Sequence, residues 1–329
     1  TNHGSVGRVW NSSNCHALTG VSRDIVTLEQ PYTDLAVDLI YTGVDNKRFA
    51  LPTSFESGAP IVAWVGRASD VKQKDFARFT RVAAALKAKG FRIWVADGSG
   101  ASAEDFTGPD YAQVAYDQWK RLTMAEIPAF YQAVAASGGV VLMTSRYEAF
   151  GLVAIEAAAA GAATIGTDVL GLREAILPEY GTTFSATATD AEITTLVEDW
   201  IAANPPSLSN CARRADAVAA RFSLSQMADA YLSAYERAVP RLVAKPTVLP
   251  EELPSGAREW IRDAASPEFR HRSLWQPMAR ELATALEGRL ALRALKTAVR
   301  HDPGAIARPR DAMNLMGTAA RAVRGLARG

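Results

Sequence analysis

Between residues 58 and 240, short apolar runs alternate with longer segments of helical periodicity, and this alternation leaves few folds open to the chain. Ile61 to Val65, Phe91 to Ala96, Gly139 to Met143 and residues 163–167 read as strands. Residues 74–89 read as a helix, with Phe76, Phe79, Val82, Ala83 and Leu86 on one face. Further helices are expected near 125–136, 151–160, 189–203, 209–221 and 224–238. The pattern predicts an α/β domain built on a doubly wound parallel sheet, with helices on both faces. Ligands of such sheets sit past the carboxyl ends of the strands, where Arg67, Asp97 and Glu148 all fall.

Residues 145–161 carry the most chemistry. Glu148 and Glu156 stand on either side of a Phe150-Gly151 step, between an apolar strand and an Ala-rich helix ended by Gly161. Glu148 is therefore expected in the strand-to-helix loop, and Glu156 a little over one turn into the helix. Gly151, lacking a Cβ, would let a ligand approach the backbone. The free N–H groups of the first helical turn make an anion site. Glu156 shares a helix face with Leu152, Ile155 and Ala159. A carboxylate on an apolar face costs on the order of several kcal/mol unless hydrogen-bonded, and ligand hydroxyls would satisfy it. The plainer reading is a helix glutamate favoured by the dipole.

The pattern Glu148-Ala-Phe-Gly-Leu-Val-Ala-Ile-Glu156 resembles the donor-sugar motif of retaining glycosyltransferases of the GT-B fold, in particular glycosyltransferase family 4. Further blocks follow in the family's order. Thr42-Gly43-Val44-Asp45-Asn46-Lys47-Arg48-Phe49 resembles the hinge between the two domains, with Thr42 in place of Asn. Gly66-Arg67 followed by Lys72 resembles the diphosphate-binding motif, with Gln73 where Gly is usual and Lys74 able to stand in for Lys72. Asp97-Gly98 resembles a glycine-rich turn and reads as structural. Gly161 to Asp168 and Gly171-Leu-Arg-Glu174 resemble the stretch after the second glutamate, with Ala163 where Pro is common.

The resemblance implies a nucleotide-sugar donor and a hydroxyl acceptor that is a glycan, a lipid-linked molecule or a small molecule. Arg67 and Lys72 would flank the departing diphosphate, Glu148 would receive sugar hydroxyls and Glu156 the ribose hydroxyls. Arg67, Lys72 and Glu148 are the catalytic candidates. Gly66 and the backbone of Phe150, Gly151 and Leu152 complete the donor-binding set. The resemblance also implies front-face attack with retention, the leaving phosphate helping to deprotonate the acceptor. A non-catalytic nucleotide-sugar-binding or assembly module is the second reading, because residues acting on the acceptor normally come from an N-terminal domain.

Composition narrows the alternatives. Histidine occurs only at 3, 16, 271 and 301, so neither a His-ligated zinc site nor a Ser-His-Asp triad is expected in the main domain. No Asp-x-Asp occurs, which argues against metal-dependent GT-A enzymes and for a metal-free site of cations and a helix terminus. Gly98-Ser-Gly100-Ala-Ser-Ala103 is a weak dinucleotide fingerprint with no helix directly after it, so a nicotinamide enzyme is disfavoured. No cofactor beyond the donor and no nucleic-acid partner is expected. Cys15 and Cys211 form no paired motif, and no apolar run is long enough to span a bilayer. Thr1 to Ser5 show no basic-then-apolar leader, and a cytoplasmic setting is the expectation.

Residues 1–57 are expected to be the remnant of an acceptor domain, with Gly20-Val21-Ser22 as its last strand, and the chain to be a piece of a longer protein. Residues 58–240 are expected to form the nucleotide-sugar-binding domain, and residues 241–329 a linker and a basic helical extension. Four prolines mark residues 240–254, and nine cations against two anions mark 289–329. Ala312, Leu315, Met316, Ala319, Ala322, Val323 and Leu326 share one helical face, opposite Arg310, Arg321, Arg324 and Arg328. This helix would either pack on the protein or a partner subunit, or touch an anionic membrane peripherally. The packed arrangement is the expectation, because Ala dominates the apolar face.

Overall fold

The structure is a computed structural model that describes residues 17–30 and 35–244, with the side chains of 238–244 excepted. The expected linker beyond 244, the basic helix, Cys15, and all four histidines lie outside the described residues.

The described residues form two compact units, one holding residues 21–24 and 39–232 and the other drawn from 17–20, 25–30, 35–38 and 233–244. In the second unit, β1 (Leu18–Gly20) and most of β2 (Val37–Leu39) form a two-stranded sheet, and Arg237 pairs with Asp38 at 2.9 Å. The strand expected at Gly20-Val21-Ser22 thus lies earlier and ends at Gly20. Helix α1 (Arg23–Glu29) follows it.

The larger unit contains a six-stranded parallel sheet. In chain order its elements are β3 (Ile61–Gly66), α2 (Phe76–Ala88), β4 (Arg92–Asp97), β5 (Gln118–Lys120), α3 (Ile127–Ala136), β6 (Val140–Met143), α4 (Leu152–Ala159), β7 (Ala163–Thr167), α5 (Leu172–Ala175), β8 (Gly181–Phe184), α6 (Asp190–Ala203), α7 (Leu208–Arg221) and the first part of α8 (Leu224–Ala244). The strand order is β5-β4-β3-β6-β7-β8. The winding direction therefore reverses between β3 and β6, and their neighbouring carboxyl ends open a crevice.

Strand alternation assigns the two faces. Val62, Trp64, Val140 and Leu142 join Phe76, Phe79 and Leu86 of α2 and Ile193 and Val197 of α6 in one buried cluster. Phe76 is its centre, with Trp64 at 4.7 Å and Trp119 at 5.4 Å between ring centroids. On the other face α3 and α4 pack together and α4 packs on α7. Local signals start the helices where the chain supplies caps. Thr189 and Glu192 form a capping box at α6, and the Ser207 hydroxyl accepts from the Asn210 N–H at α7.

Some elements depart from the pattern expectation. β5 and β8 are short and mostly polar, Gln-Trp-Lys and Gly-Thr-Thr-Phe, and carry no apolar run to announce them. α5 is a single turn. α8 continues past 238 and through Pro240 to Ala244, although proline removes one helical N–H. The loose fingerprint at Gly98 to Ala103 leads into a 3-10 turn at Ala103–Asp105 and then β5, with no helix to receive a phosphate. Among the described residues no helix is long and apolar enough to cross a membrane.

Candidate functional site

Two loops border the crevice, residues 67–75 after β3 and 144–151 after β6. They are laced together through backbone. The Arg146 N–H donates to the Gln73 carbonyl at 2.7 Å, and the Thr144 hydroxyl donates to the Lys74 and Asp75 carbonyls at 3.1 Å each. Arg146 also pairs with the Asp75 carboxylate at 3.0 Å. Asp75, the residue before α2, has φ +45, a left-handed conformation uncommon outside glycine, and these bonds hold it there.

Glu148 lies inside this lacing. Its Oε1 accepts the Lys74 ammonium at 2.5 Å and the Ser145 hydroxyl at 2.8 Å, and its Oε2 accepts the Gln73 amide at 3.2 Å. The Lys74 and Glu148 side chains are only 11% and 10% exposed, so this is a nearly buried ion pair. Lys72, the cation expected from the motif, is exposed and forms no ion pair among the described residues. A two-residue offset separates the motif's lysine from the lysine that reaches the glutamate. Gln73, which departs from the usual glycine, supplies another of the glutamate's donors. Ser145 also escaped the sequence reading.

Arg67 stands at the carboxyl end of β3, 58% exposed, and pairs with Asp70 at 2.9 Å across one turn of loop. Its guanidinium faces solvent at the crevice mouth. Gly66 is half-buried, and a Cβ there would meet the Trp64 ring at 2.8 Å, so packing requires this glycine. Asp97 is buried and structural, as expected. Its carboxylate accepts the N–H groups of Ala68 at 2.7 Å, Ser99 at 3.2 Å and Ala101 at 3.0 Å, together with the Ser99 hydroxyl.

Gly151 precedes α4 with φ +112 and no side-chain cap. A Cβ there would meet Leu172 at 2.6 Å, so the packing of α5 against this turn also requires the missing side chain. Gly171, with φ +80, presses from the other side, where a Cβ would meet the Glu148 carbonyl at 2.5 Å and the Phe150 nitrogen at 2.7 Å. Phe150 is buried, with Tyr41 and Phe222 rings at 5.7 and 5.2 Å, so it can offer a ligand backbone only. The backbone N–H groups of Leu152 and Val153 have no partner among the described residues. They are the open donors of the helix terminus.

Glu156 sits differently. Ile155 and Ala159 on its face are buried, Leu152 is 45% exposed, and Glu156 is half-buried at the boundary. Among the described residues its carboxylate accepts one hydrogen bond, a long one from the Tyr131 hydroxyl at 3.4 Å. Desolvation pushes its carboxyl above the ordinary glutamate range, with the Tyr131 hydroxyl and the Arg48 charge pulling the other way. Burial and the neighbouring Glu156 likewise raise the Tyr131 phenol. Arg48 reaches this side from the 42–49 block and donates to the Met124 carbonyl at 2.7 Å. That block rests on the start of α8. The Val44 N–H donates to the Phe222 carbonyl at 2.8 Å, and a Cβ on Gly43 would meet the Ser223 carbonyl at 2.6 Å. Tyr131 and Arg48 were not read as site residues, since each looks like a core or loop residue in its own segment.

Glu174 ends the site. Its carboxylate accepts the backbone N–H groups of Arg23 and Asp24 at 3.0 and 3.1 Å and the Tyr41 hydroxyl at 2.9 Å. Among the described residues no group of three or more His, Cys, Asp and Glu gathers as a metal site would require.

Residues 116–218, which hold both glutamates, match the family model of glycosyl transferases group 1. The chain is 31% identical over 221 residues to a D-inositol 3-phosphate glycosyltransferase of Segniliparus rotundus, covering 62% of this chain and 47% of that protein. It is 29% identical over 222 residues to the Mycobacterium avium protein of the same name, covering 62% and 50%. The chain thus spans about half the length of these relatives. In structure it resembles sucrose-phosphate synthase from Thermosynechococcus elongatus, with a TM-score of 0.57 and 20% identity over 70% of this chain and 60% of that one. It also resembles Anabaena HepE in complex with UDP and glucose, with a TM-score of 0.54 and 14% identity over 68% and 64%. The fold is the Rossmann-like parallel α/β sheet found in GT-B glycosyltransferases.

Proposed function

We propose that this chain binds a nucleotide-sugar donor at the β3–β6 crevice and is the donor-binding part of a retaining, metal-independent glycosyltransferase of family 4. The observation that carries this reading is the pair Glu148 and Glu156 on opposite sides of an uncapped helix terminus, inside the segment that matches group 1 glycosyl transferases. Glu156 has unfilled acceptor capacity for the ribose hydroxyls. The open N–H groups of Leu152 and Val153, with Arg67 at the crevice mouth, suit a departing diphosphate. In the transfer the bond from anomeric carbon to phosphate oxygen breaks and a bond to the acceptor oxygen forms. The acceptor proton leaves with the diphosphate. The acceptor half of the reaction belongs to residues outside the described crevice.

Titration calorimetry with UDP-, GDP- and ADP-sugars tests the reading. Saturable binding of at least one is expected, weakened by Glu156→Ala. Absence of binding across the panel would refute it. Donor hydrolysis, and transfer to D-inositol 3-phosphate as the first acceptor to try because the relatives are named for it, should survive a chelator. An absolute requirement for a divalent metal would overturn metal independence. The cytoplasmic setting and a peripheral membrane contact through 289–329 belong to the same proposal. Co-sedimentation of the full chain with anionic liposomes at physiological salt checks the membrane contact.

A further inference from the structure

Glu148 is crowded with donors for a residue meant to receive a ligand. Each carboxylate oxygen offers two lone-pair directions. Oε1 has both taken, by Lys74 at 2.5 Å and Ser145 at 2.8 Å. Oε2 has one taken, by Gln73 at 3.2 Å. One acceptor direction is left. The backbone behind these donors is fixed as well, since the Thr144 hydroxyl grips the Lys74 and Asp75 carbonyls and the Arg146 N–H grips the Gln73 carbonyl. A lysine in solvent would swing freely, whereas Lys74 is 11% exposed and aimed at the carboxylate. Lys72, exposed on the same loop, shares none of this.

We propose that Lys74 is a positioning residue that acts through Glu148. It fixes and neutralises the carboxylate so that the remaining direction on Oε2 takes a single hydroxyl of the donor sugar, and Lys72 has no part in sugar recognition. Neutralisation matters because an unpaired glutamate beside a diphosphate would repel it. This inference rests on the nucleotide-sugar reading of the crevice and adds a specific division of labour. If Lys74 acts through Glu148, its loss weakens the sugar nucleotide and spares the bare nucleotide. If Lys74 instead contacts the diphosphate, both weaken alike.

The experiment is calorimetric titration of the full chain with matched pairs, UDP-glucose against UDP, GDP-mannose against GDP and ADP-glucose against ADP, using the pair the wild-type chain binds best. Lys74→Met should weaken the sugar nucleotide about tenfold and the bare nucleotide less than about twofold, the scale of one charge-supported hydrogen bond. Lys74→Arg should restore the sugar nucleotide to within about threefold, and Lys72→Met, at the motif's diphosphate candidate, should weaken sugar nucleotide and bare nucleotide alike. The double variant Lys74→Met/Glu148→Met removes both charges and keeps the fold testable if the single variant melts. It should lose no more sugar preference than Glu148→Met alone, because the two residues act as one unit. Equal weakening of both ligands by Lys74→Met, or a loss from Lys72→Met confined to the sugar nucleotide, would overturn the proposal and leave the donor reading intact. A wild-type chain that binds none of the pairs would overturn both.

Discussion

The two glutamates of the crevice lie on one short stretch of chain yet in opposite surroundings. Glu148, in the loop, is enclosed by a lysine, a serine and a glutamine, and almost nothing of it meets water. Glu156, on the helix, is half in water and has one long bond from a tyrosine. The difference shows how a loop and a helix present the same side chain. A loop can fold donors around a carboxylate from several directions. A helix face cannot, because its own backbone is already spent, so the carboxylate waits for whatever comes from outside. The first arrangement gives direction and the second gives capacity.

The comparison breaks most easily at Lys74. Lys74→Met leaves a buried carboxylate unpaired and should cost about 3–5 kcal/mol of stability, read by urea unfolding, while Lys74→Met/Glu148→Met should recover most of it. A single variant as stable as the wild type would mean that Glu148 is solvated and no different in kind from Glu156. Next comes the backbone behind Glu148. Gly171→Ala puts a Cβ against the Glu148 carbonyl at a positive φ, and overpacking should cost about 1–3 kcal/mol. Gly90→Ala, at φ +93 with open space around it, serves as the control and should cost only about 1–2 kcal/mol of backbone strain.

Ligand binding sharpens the contrast. Glu156→Ala and Arg67→Ala should each weaken the bare nucleotide by about 1–3 kcal/mol, and Glu148→Ala should penalise the sugar nucleotide more than the nucleotide. Equal penalties from Glu148→Ala would place both carboxylates on the nucleotide and dissolve the distinction.

The smallest effect concerns pH. Burial holds the Glu156 carboxyl above its unfolded value, so the native state keeps this proton when the unfolded chain has lost it. Its contribution is fully present below the unfolded value and is lost as pH rises through the folded one. Glu156→Gln should therefore raise stability at neutral pH by up to about 0.5 kcal/mol, a gain that fades below pH of about 4. Thermal melts of the two proteins at pH 4 and pH 7.5 measure it. A gain that grows toward acid would mean that the carboxylate is stabilised rather than strained.

The sheet was legible because its strands are apolar runs bounded by turns, and all of the helices from α2 to α8 except α5 follow from periodicity. β5 and β8 were not legible, because a three- or four-residue edge strand of polar residues takes its shape from its neighbour. Within the site, both glutamates could be placed on loop and helix from the chain alone. That Lys74 reaches Glu148 was not legible, since it depends on where a left-handed turn at Asp75 sends the preceding side chains. The chain alone did not show that Leu172 packs where a Gly151 side chain would stand, because a missing Cβ does not say which neighbour fills the space. Tyr131 and Arg48 come from distant segments, and only the fold brings them to Glu156.

The carboxylate of Asp97 has a consequence for how this protein can drift through sequence space. It ties the end of β3 to the turn after β4 by accepting backbone N–H groups of Ala68, Ser99 and Ala101. Ala68 is confined by the core, but positions 99 and 101 lend mainly their peptide groups, which every residue except proline possesses. A saturation library should therefore accept nearly any letter at 101, many at 99, and almost none at 97. The turn would keep its shape while its spelling changed around one fixed acid, and distant relatives could share the geometry with little left to align.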